Sequence, residues 1–122
     1  MNNGTLPGRL RDAFAIEAKD RIDTLMSGLQ ELEMVLSSPE RQTPFLEMIF
    51  REAHGLKGAA RVVNLVDIEN CCQHAEDLAG GLKRGESPLS AETFDRLAGM
   101  VRSIRDAVNA FEKDRKPVRG VA

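Results

Sequence analysis

The chain is short of aromatic residues, of net charge and of long apolar runs, and each shortage argues against a class of function. Aromatic residues make up 4% of its 122 residues, with no Trp and no Tyr. Proteins that bind single-stranded nucleic acid stack bases on aromatic side chains, so the composition argues against that class. A formal charge of −2 gives no basic surface for DNA or RNA.

Membrane and export signals are also missing. No apolar run approaches the roughly 20 residues of a membrane span, and the first residues do not resemble a signal peptide. We therefore expect a cytoplasmic protein, with no membrane contact by this segment and no nucleic-acid partner.

The two cysteines, Cys71 and Cys72, are adjacent and so provide neither a disulfide framework nor a metal-binding spacing. Adjacent helical residues point about 100° apart, so one cysteine should face the core and the other its flank. A zinc site built from these cysteines, His54 and His74 is poorly supported, because the side chains diverge. We expect no metal and no cofactor in this segment.

The chain does carry helical periodicity. Apolar residues recur in steps of three and four in four segments, which predicts helices at about residues 9–36, 43–63, 66–84 and 90–112. No segment alternates as a strand would, and the connections are short. The predicted fold is an all-α, antiparallel up-down four-helix bundle. Residues 1–114 are predicted to form the domain and residues 115–122 a tail or the start of a linker.

Local signals mark the predicted helix ends. Pro39 should end the first helix, and Thr43 should cap the second, with Pro44 in its first turn. Asn64 and Gly85 should end the second and third helices. Ser90 should cap the fourth helix. The positions expected to face the core are Leu10, Phe14, Ala18, Ile22, Leu25, Leu29, Leu32 and Leu36; Phe45, Ile49, Ala53, Leu56, Ala60 and Val63; Ile68, Cys72, Ala75, Ala79 and Leu82; and Phe94, Leu97, Val101, Ile104, Val108 and Phe111.

His54 lies off the core stripe of the second helix, about 140° from its centre. An ordinary surface histidine would satisfy that position. However, Gly55 and Gly58 lie inside the same helix, where each costs about 0.5–1 kcal/mol relative to Ala. Gly58 is one turn beyond His54 on the same face and would leave space for a large partner or a phosphoryl group. Lys57 can supply positive charge to phosphoryl oxygens.

The third helix carries a polar stripe beside its core face, formed by Glu69, Gln73, Glu76, Gly80 and Lys83. If the second and third helices pack antiparallel, part of this stripe meets the His54 side. Glu76 or Glu69 could then accept a hydrogen bond from one ring nitrogen and leave the other nitrogen as a nucleophile. The alternative is that both carboxylates are solvated helix charges.

The segment His54-Gly55-Leu56-Lys57-Gly58-Ala59-Ala60 matches the His-x-x-Lys-Gly-x-(Ala/Ser) signature of histidine phosphotransfer (HPt) domains. The wider stretch 49–78 resembles the N-terminal P1 domain of chemotaxis-type (CheA) histidine kinases, and Phe14-x-x-Glu17-Ala18 resembles that family's first helix. The resemblance covers about residues 9–112.

The resemblance implies a role for each residue of the motif. His54 would be the phosphoacceptor, Lys57 the nearby cation, and Gly58 the residue that keeps the approach open. Glu76 would be the carboxylate that hydrogen-bonds the histidine. Gln73 stands where these domains often carry a second histidine, so its part in the network stays open. These domains usually add a fifth helix, whereas here we expect four helices and a tail.

By the same resemblance, His54 would accept phosphate from a histidine kinase ATP-binding domain and pass it to an aspartate of a response-regulator receiver domain. The segment would be the N-terminal part of a chemotaxis-type kinase and monomeric in isolation. It shows no Gly-rich phosphate loop and no recognisable metal constellation, so ATP and Mg²⁺ are expected on the partner kinase domain. The segment is then a phosphoryl carrier rather than a self-contained enzyme.

Three alternatives stand beside this interpretation. The first is a stand-alone phosphotransmitter of a phosphorelay. The second is a non-catalytic helical scaffold for protein–protein interaction, which leaves the two helix glycines unexplained. The third is the dimeric phosphoacceptor domain of sensor kinases. It is disfavoured because those domains place an acidic residue after the histidine, and Gly55 follows His54 here.

Overall fold

Apolar residues in steps of three and four give each of four α-helices one buried stripe. The structure, a computed structural model, describes residues 6–115. The helices are α1 (Leu6–Glu33), α2 (Thr43–Val62), α3 (Val66–Lys83) and α4 (Ala91–Arg115), with one turn of 3₁₀-helix at Pro39–Arg41 before α2. Residues 6–115 contain no strand.

The helices pack in a ring, because α1 and α3 each lie beside α2 and α4, while the backbones of α1 and α3 do not come close to each other. This is the antiparallel four-helix bundle that the periodicity predicts. Three residues join α2 to α3 and make these two helices neighbours along their length. The largest fully buried side chains are Leu25, Leu32, Ile49, Leu56, Leu97 and Ile104.

The C-terminal ends of α2 and α3 use the same capping motif. Asn64 adopts φ 60° and Gly85 adopts φ 77°, the left-handed conformation that Asn and Gly tolerate best. The chain then closes back by backbone hydrogen bonds of 3.0 Å from Leu65 N–H to the Ala60 carbonyl and from Glu86 N–H to the Gly81 carbonyl. Both predicted helix ends are confirmed. So is the cap of α4, where Ser90 Oγ accepts the Thr93 backbone N–H at 3.1 Å.

The end of α1 and the cap of α2 differ from the prediction. α1 stops at Glu33 rather than near residue 36. The buried Gln42 side chain donates to the carbonyls of Val35 and Leu36, at 3.0 and 3.1 Å, and so stabilises a turn there. Gln42, not Thr43, is also the N-cap residue of α2. Pro44 lies in the first turn of α2, as expected.

Five predicted core positions are less buried than expected. Leu10 is 38% exposed. α1 has 28 residues and α2 has 20, so the first turns of α1 extend past α2 and are less buried. In α2, Leu46 is buried whereas Phe45 is half-buried, because the core-facing stripe is rotated slightly from the predicted direction. Leu36, Val63 and Phe111 are likewise only partly buried.

α4 continues to Arg115, three residues beyond its predicted end. The predicted tail at 115–122 therefore starts as helix, and the rest of it, 116–122, lies outside the described residues. Within the described part of the chain, no helix combines the length and apolarity needed to cross a membrane.

Candidate functional site

His54 projects from the middle of α2, on the side away from the core. Its side chain is 63% exposed, whereas Ala53 and Leu56 beside it are fully buried. The ring Nδ1 lies 3.1 Å from Glu76 Oε2 on α3. An ionised carboxylate only accepts hydrogen bonds, so Nδ1 carries the proton and the lone pair of a neutral ring is on Nε2. The contact therefore leaves Nε2 as the nucleophilic nitrogen.

Lys57 lies one turn beyond His54 and points across the helix interface. Its Nζ is 2.8 Å from Glu76 Oε1 and donates to Gln73 Oε1 at 3.0 Å. Gln73 Nε2 in turn donates to Asp77 Oδ1 at 2.8 Å. Lys57 is thus 14% exposed and directed at α3 rather than at solvent. Gln73 reaches the His54 network through Lys57 and Glu76, not through a bond to the imidazole.

The Glu76 carboxylate is held in its ionised form. Burial by itself would raise the pKa of Glu76, but hydrogen bonds from Lys57 and His54 outweigh that effect, and the pKa of Glu76 lies below its ordinary value. The group is 12% exposed, so few water molecules compete for it. A carboxylate that is largely withdrawn from water and still charged is suited to hold an imidazole N–H and to stabilise positive charge on the ring.

The whole polar stripe of α3 faces α2, whereas only part of it was expected to meet the His54 side. Glu69, the second candidate acceptor, pairs with Arg61 at 2.8 Å instead of with His54. Lys83 pairs with Glu47 at 2.6 Å. As the pairs follow α2 toward its C-terminus, their partners follow α3 toward its N-terminus: Glu47 with Lys83, His54 with Glu76, and Arg61 with Glu69. The two helices therefore run antiparallel.

The two glycines of α2 serve different purposes. A Cβ at Gly58 would meet nothing within 4 Å, so the surface beside His54 is open there. A Cβ at Gly55 would lie 2.5 Å from Arg21 Cζ. The missing side chain at Gly55 lets Arg21 cross from α1 and pair with Glu52 at 3.1 Å. The open surface at Gly58 was predictable from the sequence. The contact of Gly55 with Arg21 was not, because the two residues lie 34 positions apart in the chain.

Sequence reasoning also missed Phe50 as a neighbour of the site. The Phe50 and His54 rings stack with centroids 6.3 Å apart and planes 12° from parallel. The sequence did contain a signal for this contact: Phe50 precedes His54 by four residues, and residues four apart on a helix are neighbours.

The remaining candidate residues stay apart from this site. Cys72 is buried in the core and Cys71 is half-buried beside it, as predicted, and both are free thiols. His74 is exposed on α3. No cluster of three or more His, Cys, Asp or Glu side chains able to hold a metal occurs among the residues that the structure describes.

The sequence of the chain is similar to those of known proteins. The Hpt domain family model matches residues 9–107. Chemotaxis protein CheA of Halobacterium salinarum is 29% identical over 86 residues, which are 70% of this chain and 12% of that protein. CheA of Salmonella typhimurium is 24% identical over 100 residues, 80% of this chain and 15% of that protein. The chain therefore spans a small part of each relative's length.

No solved structure matches the chain. The family match covers most of the sequence, includes α2, α3 and the His54 motif, and extends over most of α1 and α4. The chain therefore belongs to the Hpt domain family, which implies phosphotransfer in two-component signalling.

Proposed function

We propose that His54 accepts a phosphoryl group on Nε2 from the ATP-binding domain of a histidine kinase and passes it to an aspartate of a response-regulator receiver domain. One observation carries the proposal: the imidazole is exposed in mid-helix while its Nδ1 contacts the largely buried Glu76 carboxylate, 12% exposed, at 3.1 Å. That arrangement fixes the proton on one nitrogen and directs the other toward an incoming partner.

The chemistry consists of two displacements at phosphorus. In the first, the Nε2 lone pair attacks the γ-phosphorus of ATP on the kinase, the bond to the bridging oxygen breaks, and ADP leaves. In the second, an aspartate carboxylate oxygen of the receiver attacks the phosphorus. The phosphorus–nitrogen bond breaks, and its electron pair returns to Nε2. Nδ1 keeps its proton throughout, and Glu76 stabilises the positive charge that the ring gains when Nε2 bonds to phosphorus.

The neighbouring residues support this carboxylate. Lys57 keeps Glu76 ionised and orients it through the 2.8 Å ion pair, and Gln73 holds the Lys57 ammonium from the other side. Gly58 leaves the space through which the donor and the acceptor approach Nε2. Lys57 thus acts mainly through Glu76, and the Mg²⁺ on the kinase neutralises the charge of the transferred group.

We also propose that the chain is the phosphotransfer part of a chemotaxis-type kinase. Both relatives are chemotaxis proteins named CheA, and each is matched over most of this chain. The proposal predicts that a CheA protein lacking its own phosphotransfer domain will phosphorylate this chain when the two are mixed. Labelling only by kinases of other classes would favour the stand-alone phosphotransmitter.

The direct test uses the two histidines of the chain as a matched pair. The wild-type chain, His54→Gln and His74→Gln are each incubated with the CheA catalytic domain and radioactive ATP, and then with a receiver domain. Wild type and His74→Gln should gain an acid-labile, base-stable label and lose it to the receiver, while His54→Gln should gain none. Label retained in His54→Gln would refute the assignment, and no label in any chain from CheA or from histidine kinases of other classes would favour the non-catalytic scaffold.

A further inference from the structure

The His54 ring has one polar anchor in the structure, the contact of Nδ1 with Glu76. A hydrogen bond at one atom fixes a point of the ring but still lets the ring plane pivot about that point. With 63% of its side chain exposed, the imidazole has little surrounding packing to prevent this motion. A second contact, on the face of the ring, is needed to give Nε2 a defined direction.

Phe50 provides that contact. It precedes His54 by one helical turn, and its ring lies 6.3 Å from the imidazole centroid at an interplanar angle of 12°. The distance falls within the range of about 4.5–7 Å over which aromatic pairs attract. A near-parallel neighbour on one face opposes rotation of the imidazole out of its plane, which is the motion that the Glu76 contact leaves free.

The Phe50 ring is itself held by α3. A Cβ at Gly80 would lie 3.2 and 3.3 Å from two carbons of the ring, so the ring rests against the α3 backbone. Lys83 Nζ lies 4.7 Å from the ring centroid, a cation–π distance. Lys83 is anchored by its 2.6 Å ion pair with Glu47. Phe50 is therefore a fixed surface for the exposed imidazole.

We propose that Phe50 is a positioning residue for His54: seated on Gly80, its ring orients the imidazole so that Nε2 faces the approaching phosphorus. The inference rests on the proposed phosphotransfer at His54 and adds a residue to its site. Phe50 does not touch the phosphoryl group and acts only through the imidazole. A ring without this contact can pivot over the broad, roughly two-fold χ2 range of histidine, so losing Phe50 should lower the maximal transfer rate about twofold.

The test compares Phe50→Leu with Phe45→Leu. Phe45 is a half-buried phenylalanine of the same helix, so it controls for the loss of an aromatic ring from α2. Two readouts are taken on each chain. One is nitrogen and proton NMR of the His54 ring, which reports its orientation and ring-current shift. The other is the rate of phosphorylation by the CheA catalytic domain and by phosphoramidate, which transfers its phosphoryl group to Nε2 with ammonia leaving.

Phe50→Leu should remove the ring-current shift of the His54 protons and lower the maximal rate about twofold with both phosphodonors, with KM for the kinase domain unchanged. Phe45→Leu should match wild type in both readouts. Phe50→Tyr keeps an aromatic ring at this position and should match wild type in both readouts. Gly80→Ala keeps Phe50 but displaces its ring, so it should alter the same His54 signals as Phe50→Leu.

Unaltered His54 signals and rates in both Phe50→Leu and Gly80→Ala would overturn the inference. So would a change in Phe45→Leu equal to that in Phe50→Leu, because the effect would then be general to the helix. If the wild-type chain is not phosphorylated at all, the proposed function fails, and the NMR comparison still decides whether Phe50 orients the ring.

Discussion

At the scale of single residues, His54 and Lys57 both contact the Glu76 carboxylate. One oxygen faces the imidazole at 3.1 Å and the other faces the ammonium at 2.8 Å. The pKa of Glu76 is lowered even though burial opposes its ionised form. Its folded-state charge therefore contributes to stability as well as to the proposed chemistry.

We predict that this contribution depends on pH. A depressed folded-state pKa gives stability that is fully present above the unfolded value, here 4.5, and is lost as pH falls through the folded-state pKa. The free energy of unfolding of wild type should exceed that of Glu76→Gln near neutral pH, and the gap should close in acid. Urea titrations from about pH 7 to about pH 3 measure it. The exposed Glu33→Gln should stay within about 0.5 kcal/mol of wild type at neutral pH. A Glu76→Gln gap that does not change with pH would contradict this account.

Gly58 gives the second prediction at this scale. A Cβ there meets nothing within 4 Å, and the same holds for Gly99, which is exposed on α4. Replacing either residue with Ala should raise the free energy of unfolding by about 0.5–1 kcal/mol, because Ala has the higher helix propensity. Only Gly58→Ala should slow phosphotransfer with the kinase and receiver domains. Equal transfer rates in the two variants would show that the open surface at Gly58 has no part in partner approach.

At the scale of the helices, apolar spacing was enough to predict all four elements and most of their buried stripes. Asn64 and Gly85 identified two helix ends, because few other residues adopt positive φ at low cost. The choice between Phe45 and Leu46 could not be made, since it depends on how far α2 turns toward its neighbours. Periodicity specifies a face only to within the angle between adjacent residues.

The end of α1 depended on a contact that spacing does not reveal. Gln42 is the buried polar residue among the described side chains, and its amide satisfies two carbonyls of the turn after α1. We predict that Gln42→Ala lowers the free energy of unfolding by about 1–3 kcal/mol, because it leaves buried carbonyls unsatisfied. The exposed Gln30→Ala on α1 should change it by less than about 0.5 kcal/mol. Urea denaturation compares them, and an equal effect of the two variants would contradict the role of Gln42.

The candidate site was predictable in membership more than in geometry. The motif and the polar stripe of α3 identified His54, Glu76 and Lys57 from the sequence. The sequence did not show that Lys57 points at Glu76 or that Arg21 crosses over Gly55. Those contacts join different helices, so they depend on packing register, which single-helix periodicity does not contain.

At the scale of the whole molecule, the bundle holds α2 and α3 in one antiparallel register, and the site lies across that pair. Ala53 and Leu56 of α2, like Cys72 and Ala79 of α3, are fully buried in the same core. The interhelical distances around His54 therefore depend on the global fold. A reactive group buried in this core can therefore report when α2 and α3 separate.

Cys72 is such a probe. Its thiol is fully buried, and burial raises the pKa of Cys72 to about 12, so the reactive thiolate is scarce at neutral pH. In a Cys71→Ala background, iodoacetamide should modify the folded chain only at the rate of global opening, and denaturant should accelerate the reaction in step with unfolding. Fast alkylation of the native chain, equal to that of the denatured chain, would show that the core around the site is loosely packed.

In the proposed site, Nε2 of His54 carries the phosphoryl group because Nδ1 is held by Glu76. Phosphorus and nitrogen NMR of the chain phosphorylated by the CheA catalytic domain tests it most directly, since the spectra identify both the residue and the ring nitrogen bonded to phosphorus. We expect one phosphorus–nitrogen bond, at Nε2 of His54. A phosphoryl group on Nδ1 of His54, or on any other residue, would contradict it.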